Sequence, residues 1–198
     1  MGGIELRENT LVVEREPNRL DELAIRFSAI LNELDIDHVF VAGYVSILAG
    51  RARSTEDIDV LLEECDEQRV SELAQTLDEA GFWGAAMPLE SMYEMLSAGD
   101  NVWVAPTGQV TPHLEVKFAS DEFDTASLEN ALTTEIGKES VPIGPLELAY
   151  KLYLGSETDF EDAVHLYTLF KESLSEERLE DWVSRLRVES TYERLTRA

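Results

Sequence analysis

Residues 42–62, with the sequence AGYVSILAGRARSTEDIDVLL, constrain the fold of this chain more than any other stretch. The stretch begins with a glycine after an apolar run, and it ends with Asp57 and Asp59 inside a second apolar run. Side chains two residues apart on a strand point to the same side, so a strand here sends both carboxylates to one face while Ile58 and Val60 enter a core. Two neighbouring carboxylates repel each other unless a positive charge lies between them. The stretch therefore predicts a strand whose acidic face binds a divalent cation.

The aspartate pair has a simpler alternative explanation, which is two solvated carboxylates on an edge strand. The chain contains 13 aspartates, so an Asp-x-Asp spacing also arises by chance. Asp35 and Asp37 have the same spacing, but they lie between a predicted helix and a predicted strand, where aspartate is an ordinary turn residue. Asp57 and Asp59 differ because apolar residues lie between them and follow them. That context favours a site.

A third carboxylate is predicted by residues 113–118, HLEVKF, in which polar and apolar residues alternate. Alternation places His113, Glu115 and Lys117 on one face of a strand. If this strand lies beside the first, Glu115 completes a cluster of three carboxylates, and such hard oxygen ligands suit Mg²⁺ or Mn²⁺ rather than zinc. Two such ions can bridge nucleotide phosphates and activate an acceptor hydroxyl. The alternative for Glu115 is a surface cross-strand pair with a lysine or arginine.

Gly43 lies between a predicted strand and a predicted short helix, where a glycine allows backbone N–H groups to approach a phosphate. Arg51 and Arg53 follow, and they could neutralise a triphosphate. Arginines at this place are informative because the chain has only 16 Lys and Arg against 41 Asp and Glu. The alternative is that both arginines form ion pairs with Asp57 and Asp59 without any ligand.

The order of the segments predicts an α/β portion over residues 1–144, followed by a helical portion over residues 145–198 that packs on it. Within the first portion, residues 1–16 read as a weak hairpin or edge strand. Residues 123–133 read as a helix, and residues 136–143 read as one short strand interrupted by a glycine. The three tryptophans are expected to be core or interface residues: Trp83, Trp103 and Trp182.

Composition excludes some functions. A net charge of −25 argues against non-specific nucleic-acid binding, because no basic tract is present to release counterions from phosphates. An acid-rich, lysine-poor chain is expected in a high-salt, halophilic cytoplasm, where salt screens the repulsion. The single Cys65 fits a reducing compartment, and no run of 18 apolar residues occurs. We therefore expect a cytoplasmic protein without a membrane partner.

Taken in order, these residues resemble the signature of the nucleotidyltransferase-fold (polymerase-beta-like) superfamily. The local run is most similar to the minimal, AbiE-toxin-like branch, which is written roughly G-G-x-A-x-x-x-x-G-x-x-R-x-T-x-D-(I or L)-D. The positions that match are Gly43, Gly50, Arg53, Thr55, Asp57 and Asp59. The chain departs from the pattern at Ala42, which replaces the first glycine, at Tyr44, where many members carry serine, and at Val45, which replaces a small residue.

A later segment, LELAYKLYLGSETDFEDAVHLY, resembles a second feature of that branch, a lysine-bearing helix followed by a D-x-x-D helix. Lys151, Asp159 and Asp162 occupy the corresponding places. Without the resemblance, Lys151 could equally be a solvent-facing residue on a helix.

The resemblance implies an α+β fold, in which a nucleotidyltransferase-type mixed sheet is flanked by helices and followed by a C-terminal helical segment. It also implies a metal-dependent nucleotidyltransferase that uses a nucleoside triphosphate. The catalytic residues and the ligands of Mg²⁺ (or Mn²⁺) would be Asp57, Asp59 and Glu115. The residues that hold the nucleotide would be Gly43, Tyr44, Arg53, Thr55 and Lys151.

The resemblance leaves the acceptor open: RNA such as a tRNA end, a protein side chain or a small molecule. One form of this function is the toxin of a toxin–antitoxin pair, with an antitoxin protein as its partner. The alternative is a catalytically inactive member of the same fold that serves as a binding or assembly module. The altered glycine motif at Ala42 and Val45 and the extreme negative charge of the surface favour this alternative, and the complete set of three acids disfavours it.

Overall fold

The computed structural model describes residues 3–144, 147–172 and 175–197, and it leaves the side chain of residue 147 undescribed. The strands within these residues are β1 (Ile4–Arg7), β2 (Thr10–Val13), β3 (His38–Val41), β4 (Asp57–Leu62), β5 (Phe82–Gly84), β6 (Val102–Pro106), β7 (His113–Phe118), β8 (Leu132–Ile136) and β9 (Glu139–Ile143). The helices are α1 (Arg19–Glu33), α2 (Ala42–Leu48), α3 (Glu67–Glu79), α4 (Met92–Ala98), α5 (Glu122–Glu129), α6 (Glu147–Leu154), α7 (Glu157–Phe170), α8 (Glu176–Arg185) and α9 (Glu189–Thr196).

All the described strands join one mixed sheet in the order β1-β2-β8-β9-β3-β4-β7-β6-β5. The mixed sheet predicted from the sequence is thereby confirmed. Strand β4 is internal, because it pairs with β3 in antiparallel fashion and with β7 in parallel fashion. An edge-strand position for Asp57 and Asp59 is therefore wrong.

One face of the central strands is the main hydrophobic core. Ile58 and Val60 of β4 point into it and are fully buried, and so are Leu114 and Val116 of β7. Helices α1 and α3 cover this face with residues at helical spacing, namely Leu23, Phe27, Leu31, Val70, Leu73 and Leu77. Each such side chain contributes roughly 1.5–3 kcal/mol by leaving water. The period-2 pattern of the strands thus decides which residues are left for the opposite face.

Two predicted elements are wrong in their boundaries. The helix predicted over residues 123–133 ends at Glu129, and Leu132 begins strand β8. Strand β8 pairs with β2 on one side and with β9 on the other, and these pairings outweigh the local helical pattern. The short strand predicted within residues 136–143 is present as β9, but it begins at Glu139, because residues 137 and 138 form the turn of a hairpin with β8. Gly137 lies in its turn with φ = +64°, a conformation that glycine adopts without a steric penalty.

The C-terminal helices α6 to α9 form a smaller core of their own, built on residues such as Leu152, Leu166 and Val183. Trp182 is buried in a separate cluster with Phe123 of α5, with ring centroids 5.1 Å apart, as expected of a core tryptophan. The division of the chain at residue 144 stays a prediction, and Pro145, where the helical portion was expected to begin, lies outside the described residues. No helix in the described ranges has both the length and the apolar character needed to cross a membrane.

The entry to helix α2 has an unusual backbone. Ala42, its first residue, has φ = +58°, in the left-handed region. A side chain in that region costs roughly 1–2 kcal/mol because Cβ crowds the following carbonyl oxygen. The first glycine of the signature described above therefore has a conformational reason, and this chain places a strained alanine there.

We expect that Ala42→Gly leaves the free energy of unfolding unchanged or raises it by up to about 1 kcal/mol. Relief of the strain offsets or exceeds the added backbone entropy of the unfolded chain. Ala126 is the matched control, because it is equally half-buried but lies within helix α5. Ala126→Gly should lower stability by about 1 kcal/mol. Denaturant unfolding of both variants checks this, and equal losses in the two would contradict the strain at Ala42.

Candidate active site

The three predicted carboxylates lie on neighbouring positions of two paired strands. The register of β4 and β7 sets Asp59 opposite Glu115 and Asp57 opposite His113. All four side chains point away from the main core, because they alternate with the buried residues Ile58, Val60, Leu114 and Val116. The face that they share is named the acidic face, defined by Asp57, Asp59 and Glu115.

Each outer carboxylate of the acidic face has a polar partner. The Thr55 hydroxyl donates to Oδ1 of Asp57. The Asn101 side-chain amide donates to Oε2 of Glu115 over 3.1 Å, and Nε2 of His113 lies 3.5 Å from Oε1 of Glu115. Glu115 thus contacts an amide and an imidazole, and its predicted alternative, a pair with a lysine or arginine, is wrong.

The acidic face supplies the right kind of donor for Mg²⁺ or Mn²⁺, because all three groups are hard carboxylate oxygens. Their side chains do not converge on one point as they stand. Among the residues that the structure describes, no group of three or more His, Cys, Asp or Glu is arranged to hold a metal ion. Thr55 and Asn101 instead bind the two outer carboxylates.

The central carboxylate, Asp59, is electrostatically strained. Burial, together with the negative charges of Asp57 and Glu115, raises the pKa of Asp59 to about 6, although Lys117 and Lys151 act in the opposite direction. An Asp with such a pKa lacks a sufficient positive neighbour in the protein itself. A cation bound on the acidic face would relieve this strain.

The Arg53 side chain closely approaches Gly43. A Cβ atom added at Gly43 would lie 3.3 Å from Nη2 of Arg53, which is tighter than most contacts of this kind. The guanidinium of Arg53 therefore rests on the turn between β3 and α2, and its Nη1 donates to Oδ2 of Asp162 over 2.6 Å. Gly43 and Arg53 are adjacent, as the proposed triphosphate site requires.

Asp162 is the centre of a buried ion-pair network. It is fully buried on α7 and receives Nε of Arg51 at 3.1 Å, Nη1 of Arg53 at 2.6 Å and Nζ of Lys151 at 3.2 Å. Burial alone would raise the pKa of Asp162, but Lys151, Arg53 and Arg51 together hold it below the ordinary value. The network also includes Glu161, which pairs with Arg51.

The network shows that two alternatives considered from the sequence are wrong. The arginines pair with Asp162 and Glu161 on α7, so the alternative in which they pair with the aspartates of β4 is wrong. Lys151 is 1% exposed, so a solvent-facing position is also wrong. Its ammonium lies 3.9 Å from Asp159 as well, and its charge reaches Asp59.

The side chain of Tyr44 lies apart from the acidic face. It is fully buried, and its hydroxyl donates to Oδ1 of Asp21 over 2.9 Å. Asp21 also pairs with Arg15 and accepts from the backbone N–H of Asn18 at the start of α1. The Tyr44 side chain is therefore not available to a nucleotide, and the predicted nucleotide-holding role of Tyr44 is confined to its backbone N–H.

Residues to which the sequence gave no role in the site lie on the same sheet face in β5, β6 and β7. Trp103, which was expected in a core or an interface, is 38% exposed, and Trp83 is 36% exposed. The Trp103 ring packs on the buried His113 ring, with centroids 4.5 Å apart. Alternation in HLEVKF predicts which face of the strand His113 lies on, but nothing in the sequence predicts its contact with Trp103.

Comparison of the sequence with protein-family profiles and with curated proteins gave no match. Solved structures similar to this one include an antigenic nucleotidyltransferase-like protein from Paracoccidioides brasiliensis, with a TM-score of 0.58, 18% identity, and coverage of 92% of this chain and 94% of that chain. The antibiotic-resistance factor ANT(2'')-Ia gives a TM-score of 0.47, 14% identity, and coverage of 87% and 92%. A CCA-adding enzyme in complex with ATP gives 0.39, 10%, and coverage of 87% and 48%.

The first of these likenesses shows the fold, which is nucleotidyltransferase-like. The fold expected from the Gly43 to Asp59 signature is confirmed at that level. The assignment to an AbiE-toxin-like branch stays a prediction.

The raised pKa of Asp59 predicts a stability that depends on pH. The folded chain holds this proton more tightly than the unfolded chain, so stability is lost as the pH rises from about 4 to about 6. Asp59→Asn removes that loss. With a chelator at constant high salt, we expect this variant to be more stable than the parent chain by up to about 3 kcal/mol at pH 8 and almost equal to it at pH 4.

The control for Asp59→Asn is Asp100→Asn, a change at an exposed aspartate outside the strands. It should alter stability by less than about 0.5 kcal/mol at either pH. Denaturant unfolding at both pH values is the measurement. A pH-independent effect of Asp59→Asn would contradict the electrostatic strain.

The ion-pair network predicts unequal effects at two adjacent carboxylates that both bind Arg51. Asp162→Asn leaves the buried Lys151 without its nearest anion, and it should cost about 3–5 kcal/mol. Glu161 has a side chain that is 58% exposed, so Glu161→Gln should cost less than about 1 kcal/mol. Thermal and denaturant unfolding of the pair checks this, and equal losses would show that burial of Asp162 is not the cause.

Proposed function

We propose that this protein is a nucleotidyltransferase that moves a nucleotide from a nucleoside triphosphate to an acceptor hydroxyl. The observation that supports it best is the placement of Asp57, Asp59 and Glu115 side by side on one sheet face of a nucleotidyltransferase-like fold. In that reaction the acceptor oxygen bonds to the α-phosphorus and pyrophosphate leaves.

The three carboxylates of the acidic face are the proposed ligands of Mg²⁺ or Mn²⁺. A bound divalent ion would neutralise phosphate charge and lower the barrier to attack on phosphorus. The carboxylates would otherwise repel the triphosphate, because Asp59 already lacks enough positive charge around it. Glu115 is placed to accept the proton of the acceptor hydroxyl, since it lies across from Asp59 and next to solvent-exposed Trp103.

The triphosphate is proposed to lie on the β3 side of the acidic face. Backbone N–H groups at Gly43 and Tyr44, the Thr55 hydroxyl and the cations Arg53 and Lys151 would hold it. The carboxylates of Asp159, Glu161 and Asp162 already balance the three cations of the network. Little free positive charge is left for phosphate, so nucleotide binding is expected to depend strongly on the divalent ion.

The acceptor class under this proposal is a hydroxyl of RNA such as a tRNA end, of a protein or of a small molecule. A narrower form is the toxin of a toxin–antitoxin pair, which rests on the sequence resemblance alone. Growth arrest on expression that disappears in Asp57→Ala would support the toxin role, whereas unimpaired growth would remove it.

A catalytically inactive module for binding or assembly is the second candidate. Pairing of Arg51, Arg53 and Lys151 with Asp162 favours it, because those cations are already satisfied without a ligand. The two candidates differ in whether any nucleotide binds with a metal.

We expect at least one nucleoside triphosphate to raise the melting temperature with Mg²⁺ at high salt, and to do so little or not at all with a chelator. A ligand at 100 times its Kd stabilises a fold by about 2.7 kcal/mol, which is readily measured. In Asp57→Ala the nucleotide effect should vanish, because one of three carboxylates is lost. Asp37→Ala is the control, since Asp37 is an exposed aspartate of the same spacing outside the acidic face.

The same variants separate the candidates. Retention of the Mg²⁺-dependent shift in Asp37→Ala and its loss in Asp57→Ala would support the enzyme. No shift with any of the common nucleoside triphosphates would favour the inactive module.

A further inference from the structure

Two exposed tryptophans lie on the same side of the sheet as the acidic face. Trp103 of β6 pairs with Glu115 of β7, and paired residues point to the same side. Trp83 of the edge strand β5 pairs with Ala105, two residues beyond Trp103, so its indole also lies on that side. The opposite side of β6 carries Val102 and Val104, which are buried in the main core. Trp103 is therefore a surface feature beside the carboxylates, whereas Trp83 lies one strand further away and also lines a cavity with residues of α3.

Both indoles are held in place. The Trp103 ring lies on the His113 ring with an interplanar angle of 32°. Trp83 donates from Nε1 to the backbone oxygen of Gln109 over 2.8 Å. His113 is only 6% exposed, and in the described residues neither of its ring nitrogens has a hydrogen-bond partner. A buried imidazole without hydrogen bonds costs stability. The Nε2 atom of His113 lies 3.5 Å from Oε1 of Glu115, and the imidazole ring packs on Trp103.

Along the sheet, the indoles lie on one flank of the acidic face, and the cations lie on the other flank. Gly43 is the second residue after β3, and Arg53 rests on it, whereas β7 and β6 lie on the other side of β4. Strands are about 4.8 Å apart, so Trp103 lies about 10 Å from Asp59, a distance that one nucleoside can span. In transfer to phosphorus the leaving and attacking oxygens are in line. If pyrophosphate leaves toward Arg53 and Lys151, the acceptor enters from the side of Trp103.

The charges around Trp103 disfavour phosphate. Its polar neighbours are the Glu115 carboxylate and the Asn101 amide that binds it. The nearest lysine on β7, Lys117, is paired with Asp124 at 3.2 Å. A ring without phosphate groups therefore fits this surface better than a polynucleotide, especially on a chain with a net charge of −25.

We propose that Trp103, backed by His113 and flanked by Trp83, is the acceptor subsite, and that it stacks a flat heteroaromatic ring bearing a hydroxyl and no phosphate, as in an uncharged nucleoside. Its assignment to the acceptor rests on the proposed function, whereas the stacking itself does not. Trp103 is then a substrate-binding residue, and His113 keeps its indole in position.

The test is binding of the four common ribonucleosides, measured by calorimetry and ligand-observed NMR at high salt with a chelator and without any triphosphate. At least one nucleoside should bind. Trp103→Ala and Trp103→Leu should each weaken it by about tenfold or more, and Trp103→Phe should stay within about threefold of the parent chain. Tyr153→Ala is the control, because Tyr153 is an exposed aromatic residue on α6 and should not affect binding.

Two further ligands test the class of compound. The 5′-monophosphate of the bound nucleoside and a single-stranded RNA oligonucleotide should both bind more weakly than the nucleoside. Tighter binding of either one would overturn the phosphate-free class. The proposal is also overturned if no nucleoside binds, or if folded Trp103→Leu binds as well as the parent chain. The binding experiment contains no metal and no triphosphate. Failure of the stacking proposal can therefore be told apart from failure of the proposed function, which is tested by Mg²⁺-dependent stabilisation with a nucleotide.

Discussion

The ion pairs of the buried Asp162 are the interactions on which the arrangement of the site depends. Its carboxylate on α7 binds Arg51 and Arg53 of the loop before β4, and it also binds Lys151 of α6. A buried carboxylate with one partner removed is destabilising, whereas one with three cations around it is satisfied. The loop that carries the arginines is therefore tied to the C-terminal helices. Arg53 in turn occupies the space beside Gly43, so the glycine turn, the loop and the helices form one connected structure.

The acidic face shows the opposite electrostatics, because its carboxylates have too little positive charge nearby. The pKa of Asp59 is raised, whereas the pKa of Asp162, on helix α7, is lowered. The difference lies in the neighbours: Asp162 faces cations, and Asp59 faces Asp57 and Glu115. In the folded chain Asp162 is paired with cations, whereas Asp59 is not. The charged form of Asp59 is therefore energetically unfavourable. Such strain is common where a protein binds a ligand of opposite charge.

Local patterns predicted the parts of the site that depend on alternation. Ile58 and Val60 identified the core side of β4, so Asp57 and Asp59 had to face the other way, and HLEVKF placed Glu115 on its strand by the same logic. Alternation does not say which strands pair, and the link of β4 to β7 came only from the resemblance. The partner of Arg53 lies 109 residues away on α7, and no local pattern points to it.

Two kinds of error had a common cause, which is that tertiary contacts override local patterns. Residues 132 and 133 follow a helix and read as its continuation, yet pairing with β2 and β9 makes them the start of a strand. Tryptophan is usually buried, yet Trp103 is left exposed because the face of the sheet that it joins is only partly covered. Neither fact is visible in a window of ten residues.

The departures of the glycine motif have structural explanations that do not involve a ligand. Tyr44 fills the core beside Phe40, with ring centroids 5.9 Å apart, and its hydroxyl satisfies Asp21 at the start of α1. A serine at this position is too short to reach Asp21, so the larger residue serves the packing of α1 on the sheet. Ala42 keeps the left-handed backbone that a glycine would adopt at lower cost. The turn therefore keeps the backbone course that a glycine favours, while the side chain of Tyr44 is part of the core. Phosphate recognition by backbone N–H groups at Gly43 needs only that backbone course, which is why these substitutions alone do not argue against nucleotide binding.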